Sequence, residues 1–170
     1  KCLVFYHPDD PAALRAEQDA LLLEVWQACN KSGHELLLEV ILPENGPDKD
    51  ERHYHTMLEH FYQLGIKPDW WKLPPLSSAS WQQITALIER EDPWSRGILI
   101  LGLDAPSDKL RAGFAEAAAH PMIKGFAVGR TIFGQPSRRW MQGELSDEAL
   151  IEEVKRNYLT LIGYWREARR

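Results

Sequence analysis

Cysteine, excess basic charge and long apolar runs are all scarce in this sequence, and each shortage excludes a class of protein. The two cysteines, Cys2 and Cys29, cannot form a disulfide framework and lack metal-ligand spacing, so we expect reduced thiols and a cytoplasmic protein. The 20 Lys and Arg against 25 Asp and Glu leave a net charge of −5, which argues against a nucleic-acid partner. No stretch approaches the roughly 18 apolar residues of a membrane span, so no membrane partner is expected.

The composition that remains is that of an ordinary folded domain. Hydrophobic residues make up 44% and charged residues 26% of the 170 positions, a balance typical of globular rather than disordered chains. The chain opens directly on a strand-like apolar run, Lys1–His7, with no initiator methionine and no leader segment. We therefore expect residues 1–170 to be the C-terminal part of one domain whose first strands lie upstream in a longer polypeptide.

Apolar runs typical of β-strands alternate along the chain with segments of helical periodicity. Several of the runs are almost continuously apolar, which favours parallel strands covered on both faces. Alternating strands and helices predict βαβ units, and run starts 27 to 34 residues apart match the roughly 31 residues per unit of a (β/α)8 barrel. The fold class is therefore predicted to be α/β, with this chain supplying the last five units of a (β/α)8 TIM barrel. The five runs are Lys1–His7, Glu35–Leu42, Asp69–Leu73, Gly97–Gly102 and Lys124–Arg130.

Five helices are predicted between and after these strands, and a doubly wound sheet is the alternative to the barrel. The first helix should begin at Asp10 and Pro11 and end before Gly33, and the last should begin after Ser146. A flavodoxin-like sheet of five strands fits the same count. However, the first strand-to-helix turn, His7–Asp10, lacks the glycines typical of doubly wound sheets, so the barrel is favoured.

Two charged residues interrupt the apolar strands. Glu39 lies within Leu36–Leu42, and Lys72 lies near the end of the strand that stops before Pro74. Buried charges need partners, and the C-terminal ends of barrel strands carry catalytic residues. Desolvation favours the neutral amine of a lysine, which attacks carbonyl groups, and a nearby carboxyl group moves the protons of that reaction. Lys72 and Glu39 are therefore a candidate Schiff-base pair, with a buried ion pair that only orients two strands as the alternative.

Two glycines and an arginine near the ends of the last two strands predict an anion site. Phosphate sites in (β/α)8 barrels commonly form in the loops after the last two strands. Gly129 lets backbone N–H groups approach an anion, Arg130 offers a bidentate guanidinium, and Gly102 ends the preceding strand. The alternative is that Gly129 is a turn residue and Arg130 a surface cation.

The histidines do not predict a metal site. His53, His55 and His60 cluster around the start of one predicted helix, but no HExxH pattern is present and a solvated helix face explains their spacing. His7 shares a face of the first strand with Lys1 and is instead an alternative candidate for the mouth of the active site.

Three long motifs include the first, third and fifth of the predicted strands. They are Lys1-Cys-Leu-Val-Phe-Tyr-His-Pro-Asp-Asp10, Gly65-Ile-Lys-Pro-Asp-Trp-Trp-Lys-Leu-Pro-Pro75 and Lys124-Gly-Phe-Ala-Val-Gly-Arg-Thr-Ile-Phe-Gly134. The candidate site residues together resemble the class I aldolase superfamily of (β/α)8 barrels. Through the three motifs, and over essentially all of its length, the chain most resembles the aldolase-like C-terminal domain fused to bacterial 5-dehydro-2-deoxygluconokinases of myo-inositol catabolism. The resemblance implies a fused sugar kinase domain, and the chain could also form a homo-oligomer.

A fainter similarity to tagatose-bisphosphate and fructose-bisphosphate class I aldolases implies roles for individual residues. In that pattern the sixth-strand lysine, matched by Lys72, forms the Schiff base, and the fifth-strand glutamate, matched by Glu39, handles protons. Lys1 matches a fourth-strand lysine near the cleaved bond, although it lies low in its strand and must reach upward. Gly129 and Arg130 match the eighth-strand pair that binds phosphate.

The implied reaction is cleavage of 5-dehydro-2-deoxy-6-phosphogluconate, a phosphorylated keto-sugar acid, to dihydroxyacetone phosphate and malonate semialdehyde. An iminium at C5 is the electron sink for breaking the C3–C4 bond, so neither a cofactor nor a metal is required. The seventh strand departs from the aldolase pattern, because Leu101-Gly-Leu-Asp104 retains only Gly102. The alternative function is therefore a non-catalytic barrel domain that scaffolds or regulates the fused kinase.

Overall fold

The centre of the computed structural model, which describes residues 1–170, is a sheet of five parallel strands. The strands lie side by side in the order of the chain. Each predicted apolar run overlaps one strand, and the strands are shorter than the runs. They are β1 Cys2–Phe5, β2 Leu37–Ile41, β3 Trp70–Leu73, β4 Gly97–Ile100 and β5 Ile123–Phe126.

Helices follow each strand, and two of the predicted helix ends are confirmed. Gly33 adopts a φ of 72°, in the left-handed region, and ends the first helix. Ser146 caps the last helix through its side chain. The predicted start of the first helix is wrong by one residue: its N-cap is Pro11, because the Asp10 carboxylate accepts the N–H of His7 in the preceding turn. The helices are α1 Ala12–Ser32, α2 Arg52–Gln63, α3 Ser78–Glu91, α4 Ser107–Ala117, α5 Arg130–Met141 and α6 Asp147–Ala168.

One face of the sheet is covered by helices, and the other face is partly open. Alternate strand residues such as Val40, Trp71 and Ile98 are buried in one core with apolar helix residues. The residues between them point the other way, and Leu3 and Phe5 of β1 are about half exposed there. The expectation that both faces are covered therefore holds for one face only.

The strand order excludes the doubly wound alternative. In a doubly wound sheet the order reverses at a switch point, whereas here it runs from β1 to β5 without reversal. Sequential parallel strands joined by right-handed crossovers place the connecting helices on one side, as in (β/α) barrels. The chain is thus an α/β unit of five parallel strands with a barrel-like order. None of its helices combines the length and the apolarity needed to cross a membrane.

Helix α5 is the one helix that periodicity did not predict, and it changes the position of Arg130. The prediction that the fifth strand runs to Arg130 is wrong: β5 ends at Phe126, and Arg130 is the first residue of α5. The sequence pattern does not predict this helix because the helix contains Pro136, and proline disfavours helix interiors. Since Pro136 has no N–H for the Ile132 carbonyl, the side chain of Asn157 in α6 donates to that carbonyl at 2.8 Å.

Candidate active site

Strand register places the two charged strand residues side by side. Glu39 of β2 is level with Lys72 of β3 on one side and with Leu3 of β1 on the other. Residues at one register level of a parallel sheet share a face. Leu3 is exposed on the face away from the helices, so the predicted pair lies on that open face.

Glu39 is the centre of a cluster of three charged side chains. Its Oε1 lies 3.1 Å from Nζ of Lys72, and its Oε2 accepts a hydrogen bond of 2.5 Å from Nζ of Lys1. Lys1 precedes β1, so its long side chain reaches upward to make this contact. The side chains of Glu39 and Lys72 are 9% and 13% exposed, whereas that of Lys1 is 52% exposed. Lys72 is therefore the more desolvated of the two lysines.

These contacts determine the protonation state of Glu39. Burial raises the pKa of Glu39, but the hydrogen bonds and charges of Lys1 and Lys72 outweigh burial and hold that pKa below its ordinary value. Glu39 is therefore a carboxylate at neutral pH. The amine of Lys72 becomes nucleophilic when its proton leaves, and Glu39 is the acceptor in contact with it.

An open cavity of about 980 Å³ lies on this face of the sheet. Its volume is at the upper end of the range found for small-molecule sites. In open parallel sheets, ligands bind beyond the carboxyl ends of the strands, where loops from several strands meet. The cavity brings together every residue predicted for the site, which are Lys1, Glu39, Lys72, Gly102, Gly129 and Arg130.

The predicted phosphate-binding residues surround the N-terminus of α5. Gly129 is the N-cap and Arg130 the first residue, so the first N–H groups of α5 have no carbonyl partner within the helix. A Cβ at Gly102 would lie 2.8 Å from the side chain of Val128, so this glycine lets the loops after β4 and β5 approach each other. The guanidinium of Arg130 is largely exposed and lies 4.0 Å from the carboxylate of Asp104.

The turn after β4 is strained and acidic. Leu103 and Asp104 adopt φ values of 48° and 60°, in the left-handed region that is unfavourable for residues other than glycine. Both residues line the cavity. This turn is the segment in which the sequence departs from the aldolase pattern, and Asp104 brings a negative charge close to the predicted anion site.

The β2–α2 loop, residues 42–51, contributes cavity residues that the sequence analysis missed. Asn45, Lys49 and Glu51 line the cavity. The Glu51 carboxylate accepts hydrogen bonds from the N–H and the hydroxyl of Ser77, which ties this loop to the start of α3. Burial raises the pKa of Glu51, but the hydrogen bonds from Ser77 outweigh burial and lower it. The only sequence signal was the position of the loop after the carboxyl end of a strand.

Other residues considered for the site lie away from the cavity. The expectation that His7 lies at the mouth of the active site is wrong. Its ring is buried and packs against His53, with ring centroids 4.5 Å apart. The chain leaves β1 before His7, so the alternation of the strand no longer sets its direction. Lys67 and Lys124 donate to backbone carbonyls elsewhere and are no alternative nucleophiles.

Comparison with known proteins places the chain in a family. No curated protein matches it. Residues 1–169 match the model of a family described as "Uncharacterized protein conserved in bacteria (DUF2090)". Since this match includes all but the last residue, the chain belongs to the DUF2090 family.

Proposed function

We propose that this chain carries the Schiff-base residues of a class I phosphosugar aldolase that cleaves 5-dehydro-2-deoxy-6-phosphogluconate to dihydroxyacetone phosphate and malonate semialdehyde. The observation that supports the proposal best is the contact of the desolvated Lys72 with Glu39, inside a cavity that Gly129 and Arg130 also line. A nucleophile, a proton acceptor and anion-binding groups in one cavity are what this reaction requires.

The first half of the reaction makes the iminium. Lys72 transfers a proton to Glu39, and the neutral amine attacks the C5 carbonyl of the substrate to form a carbinolamine. Glu39 returns a proton to the C5 hydroxyl, which leaves as water. The C5 carbon is then joined to Lys72 as an iminium that withdraws electrons from the neighbouring carbons.

The second half breaks the carbon–carbon bond. The C3 hydroxyl loses its proton to a base, C3 becomes the aldehyde of malonate semialdehyde, and the electron pair of the C3–C4 bond moves into an enamine. Protonation of C4 and addition of water then release dihydroxyacetone phosphate and the amine of Lys72. Because the iminium accepts the electrons, the chemistry requires no metal. Lys1 keeps Glu39 oriented through its hydrogen bond and adds positive charge near the substrate.

The substrate phosphate binds at the N-terminus of α5 in this proposal. Arg130 supplies a positive charge, and the unpaired N–H groups after Gly129 supply hydrogen-bond donors. The close approach of the loops at Gly102 brings the backbone after β4 to the same anion. Asp104 opposes this binding unless its carboxylate turns away from Arg130.

We also propose that the five units of this chain form part of a complete (β/α)8 barrel fused to a sugar kinase domain. The unreversed strand order and the open face of the sheet support a barrel. One observation favours a second candidate function, a non-catalytic barrel that scaffolds the kinase. Asp104 lies next to Arg130, at the place where a phosphate-binding enzyme gains most from uncompensated positive charge.

Reductive trapping of the iminium distinguishes the two functions. Full-length protein incubated with dihydroxyacetone phosphate and borohydride is expected to carry one reduced adduct on Lys72, located by mass spectrometry. Lys72→Met should abolish this adduct. Lys67→Met is the matched control, because Lys67 donates only to a backbone carbonyl outside the cavity, and it should be labelled like wild type.

Two other labelling results would count against the proposal. Undiminished labelling in Lys72→Met, or an adduct on another lysine, would refute Lys72 as the nucleophile. Absence of any adduct in the folded wild-type protein would favour the scaffold over the aldolase.

A further inference from the structure

Three ligand-type side chains meet beside the β2–α2 loop, and none of them lines the cavity. His7 comes from the turn after β1, Asp48 from the β2–α2 loop and His53 from the first turn of α2. Nε2 of His53 lies 2.6 Å and Nε2 of His7 lies 3.7 Å from Oδ1 of Asp48. One ligand atom from each residue lies within 4.8 Å of the other two.

The imidazole of His7 is the unexplained member of this cluster. Its side chain is fully buried, and its Nε2 has no hydrogen-bond partner. Burial of an unpaired polar atom is unfavourable, so such atoms need an explanation. This nitrogen is directed at Asp48, which is too distant for a hydrogen bond but at a separation typical of two ligands of one ion.

We propose that His7, Asp48 and His53 bind one divalent transition-metal ion of the Zn²⁺ class. Two imidazole nitrogens and one carboxylate oxygen are a common ligand set for Zn²⁺, which leaves the fourth position of a tetrahedron to water. Bond lengths of about 2.0–2.2 Å to Zn²⁺ place ligand atoms roughly 3–4 Å apart. The observed separations require only small side-chain movements to reach that spacing.

Metal binding would change the partner of the other ring nitrogen of His7. Nδ1 accepts the N–H of Asp9 at 3.1 Å, and the Asp9 carboxylate lies 4.0 Å away. When Nε2 binds the ion, the ring proton lies on Nδ1, so the hydrogen bond from the Asp9 N–H breaks and the Asp9 carboxylate becomes the acceptor of the ring proton. Carboxylates that orient metal-bound histidines in this way are usual in zinc sites.

A metal ion bound at this site would join two loops at the carboxyl ends of the strands. The ion would tie the turn after β1 to the β2–α2 loop, whose residues Asn45, Lys49 and Glu51 line the cavity. The site is independent of the proposed Schiff-base chemistry, because none of its three ligands lines the cavity. The bound ion would thereby fix the position of a loop that lines the cavity.

Titration of the metal-free, full-length protein with ZnCl₂, followed by calorimetry, tests the proposal. We expect saturable binding of one ion at this cluster, and Co²⁺ should give the visible absorption of tetrahedral cobalt with nitrogen and oxygen ligands. Asp48→Asn and His53→Gln should each weaken binding by about 10- to 100-fold or more. His55→Gln is the matched control, because His55 lies on the same helix outside the cluster, and it should bind like wild type.

Separate control experiments test the folding of the variants and the proposed aldolase reaction. Asp48 lies in an exposed loop, so Asp48→Asn should unfold in urea like wild type when metal is absent, and Zn²⁺ should raise the melting temperature of wild type only. Binding that is absent from the wild type, or unchanged in both Asp48→Asn and His53→Gln, would overturn the proposal. Reductive trapping with a chelator present reports on the aldolase alone, so failure of one proposal leaves the other testable.

Discussion

At the scale of single residues, the candidate site depends on the charge of Glu39. This one carboxylate is in contact with both Lys1 and Lys72 on the open face of the sheet. Hydrogen bonds to charged groups contribute about 1.5–3 kcal/mol to stability when they are shielded from water. Loss of the charge would leave Lys1 and Lys72 without their shared carboxylate partner, so the same residue supports the fold and the proposed proton transfer.

Glu39→Gln is expected to lower the free energy of unfolding at neutral pH by about 1–3 kcal/mol. The folded-state pKa of Glu39 lies below its ordinary value of 4.5, so this stabilisation is fully present above pH 4.5 and is lost as the pH falls through the folded-state pKa. The difference between wild type and variant should therefore shrink in acid. Urea unfolding across the acid range measures it, with the exposed Glu89→Gln as a control that should match wild type. A difference that is constant with pH would contradict the assignment.

Arg130 and Asp104 are expected to have opposite effects on phosphate binding. Arg130→Ala removes a charge-assisted contact and should weaken the binding of dihydroxyacetone phosphate by about 10- to 150-fold. Asp104→Asn removes a carboxylate 4.0 Å from the guanidinium and should strengthen binding. Calorimetric titration measures both, and Arg166→Ala, an exposed arginine of α6 that does not line the cavity, should leave the affinity unchanged. Equal affinity in wild type and Arg130→Ala would count against this anion site.

Some of these residues could be predicted from the sequence, and others could not. Glu39 and Lys72 stand out because a charge inside an apolar strand needs a partner, and neighbouring strands supply one. The cluster of His7, Asp48 and His53 gave no such signal. Only the path of an irregular loop places Asp48 between the two histidines, and no periodic pattern encodes that path.

At the scale of helices and strands, α5 depends on a contact from α6. Pro136 leaves the carbonyl of Ile132 without its usual donor, and Asn157 replaces that donor. Asn157→Leu keeps a similar side-chain volume but removes the hydrogen bond. It is therefore expected to lower the free energy of unfolding by about 1–3 kcal/mol, measured by urea denaturation.

A double-mutant cycle attributes that cost to the proline. Pro136→Ala restores an N–H for the Ile132 carbonyl, so Asn157→Leu should cost about 1 kcal/mol less in the Pro136→Ala background than in wild type. The cycle cancels the packing change that each substitution makes by itself. Strictly additive effects would mean that Asn157 does not compensate for Pro136.

Helix α5 and the strands differ in how well the sequence predicts them. Apolar runs located all five strands, because parallel strands need long apolar segments to pack against helices. The runs did not locate the strand ends, which depend on where pairing with the neighbouring strand stops, as at Phe126 of β5. Helix α5 escaped prediction because Pro136 interrupts its local helix propensity, and the carbonyl that Pro136 leaves unpaired is satisfied by Asn157, on a different helix.

At the scale of the whole molecule, β1 is an edge of the sheet with a free side. Its only neighbouring strand is β2, and the N–H of Tyr6 continues that pairing by donating to the carbonyl of Ile41. Successive N–H groups of a strand point to opposite sides within the sheet. The N–H of Val4 therefore points toward β2, and those of Leu3 and Phe5 point toward the free side.

Hydrogen exchange at the amides of Leu3, Val4 and Phe5 tests the proposed barrel. In a complete (β/α)8 barrel a further strand pairs with β1, so in the full-length protein the amides of Leu3 and Phe5 should exchange about as slowly as that of Val4. The amide of Glu148, in the first turn of α6, has no carbonyl partner within its helix and serves as the fast reference. Fast exchange at Leu3 and Phe5 beside slow exchange at Val4 would contradict barrel closure at β1. That result would leave the five-stranded sheet with a free edge, and the exposed Leu3 and Phe5 side chains would then need another partner.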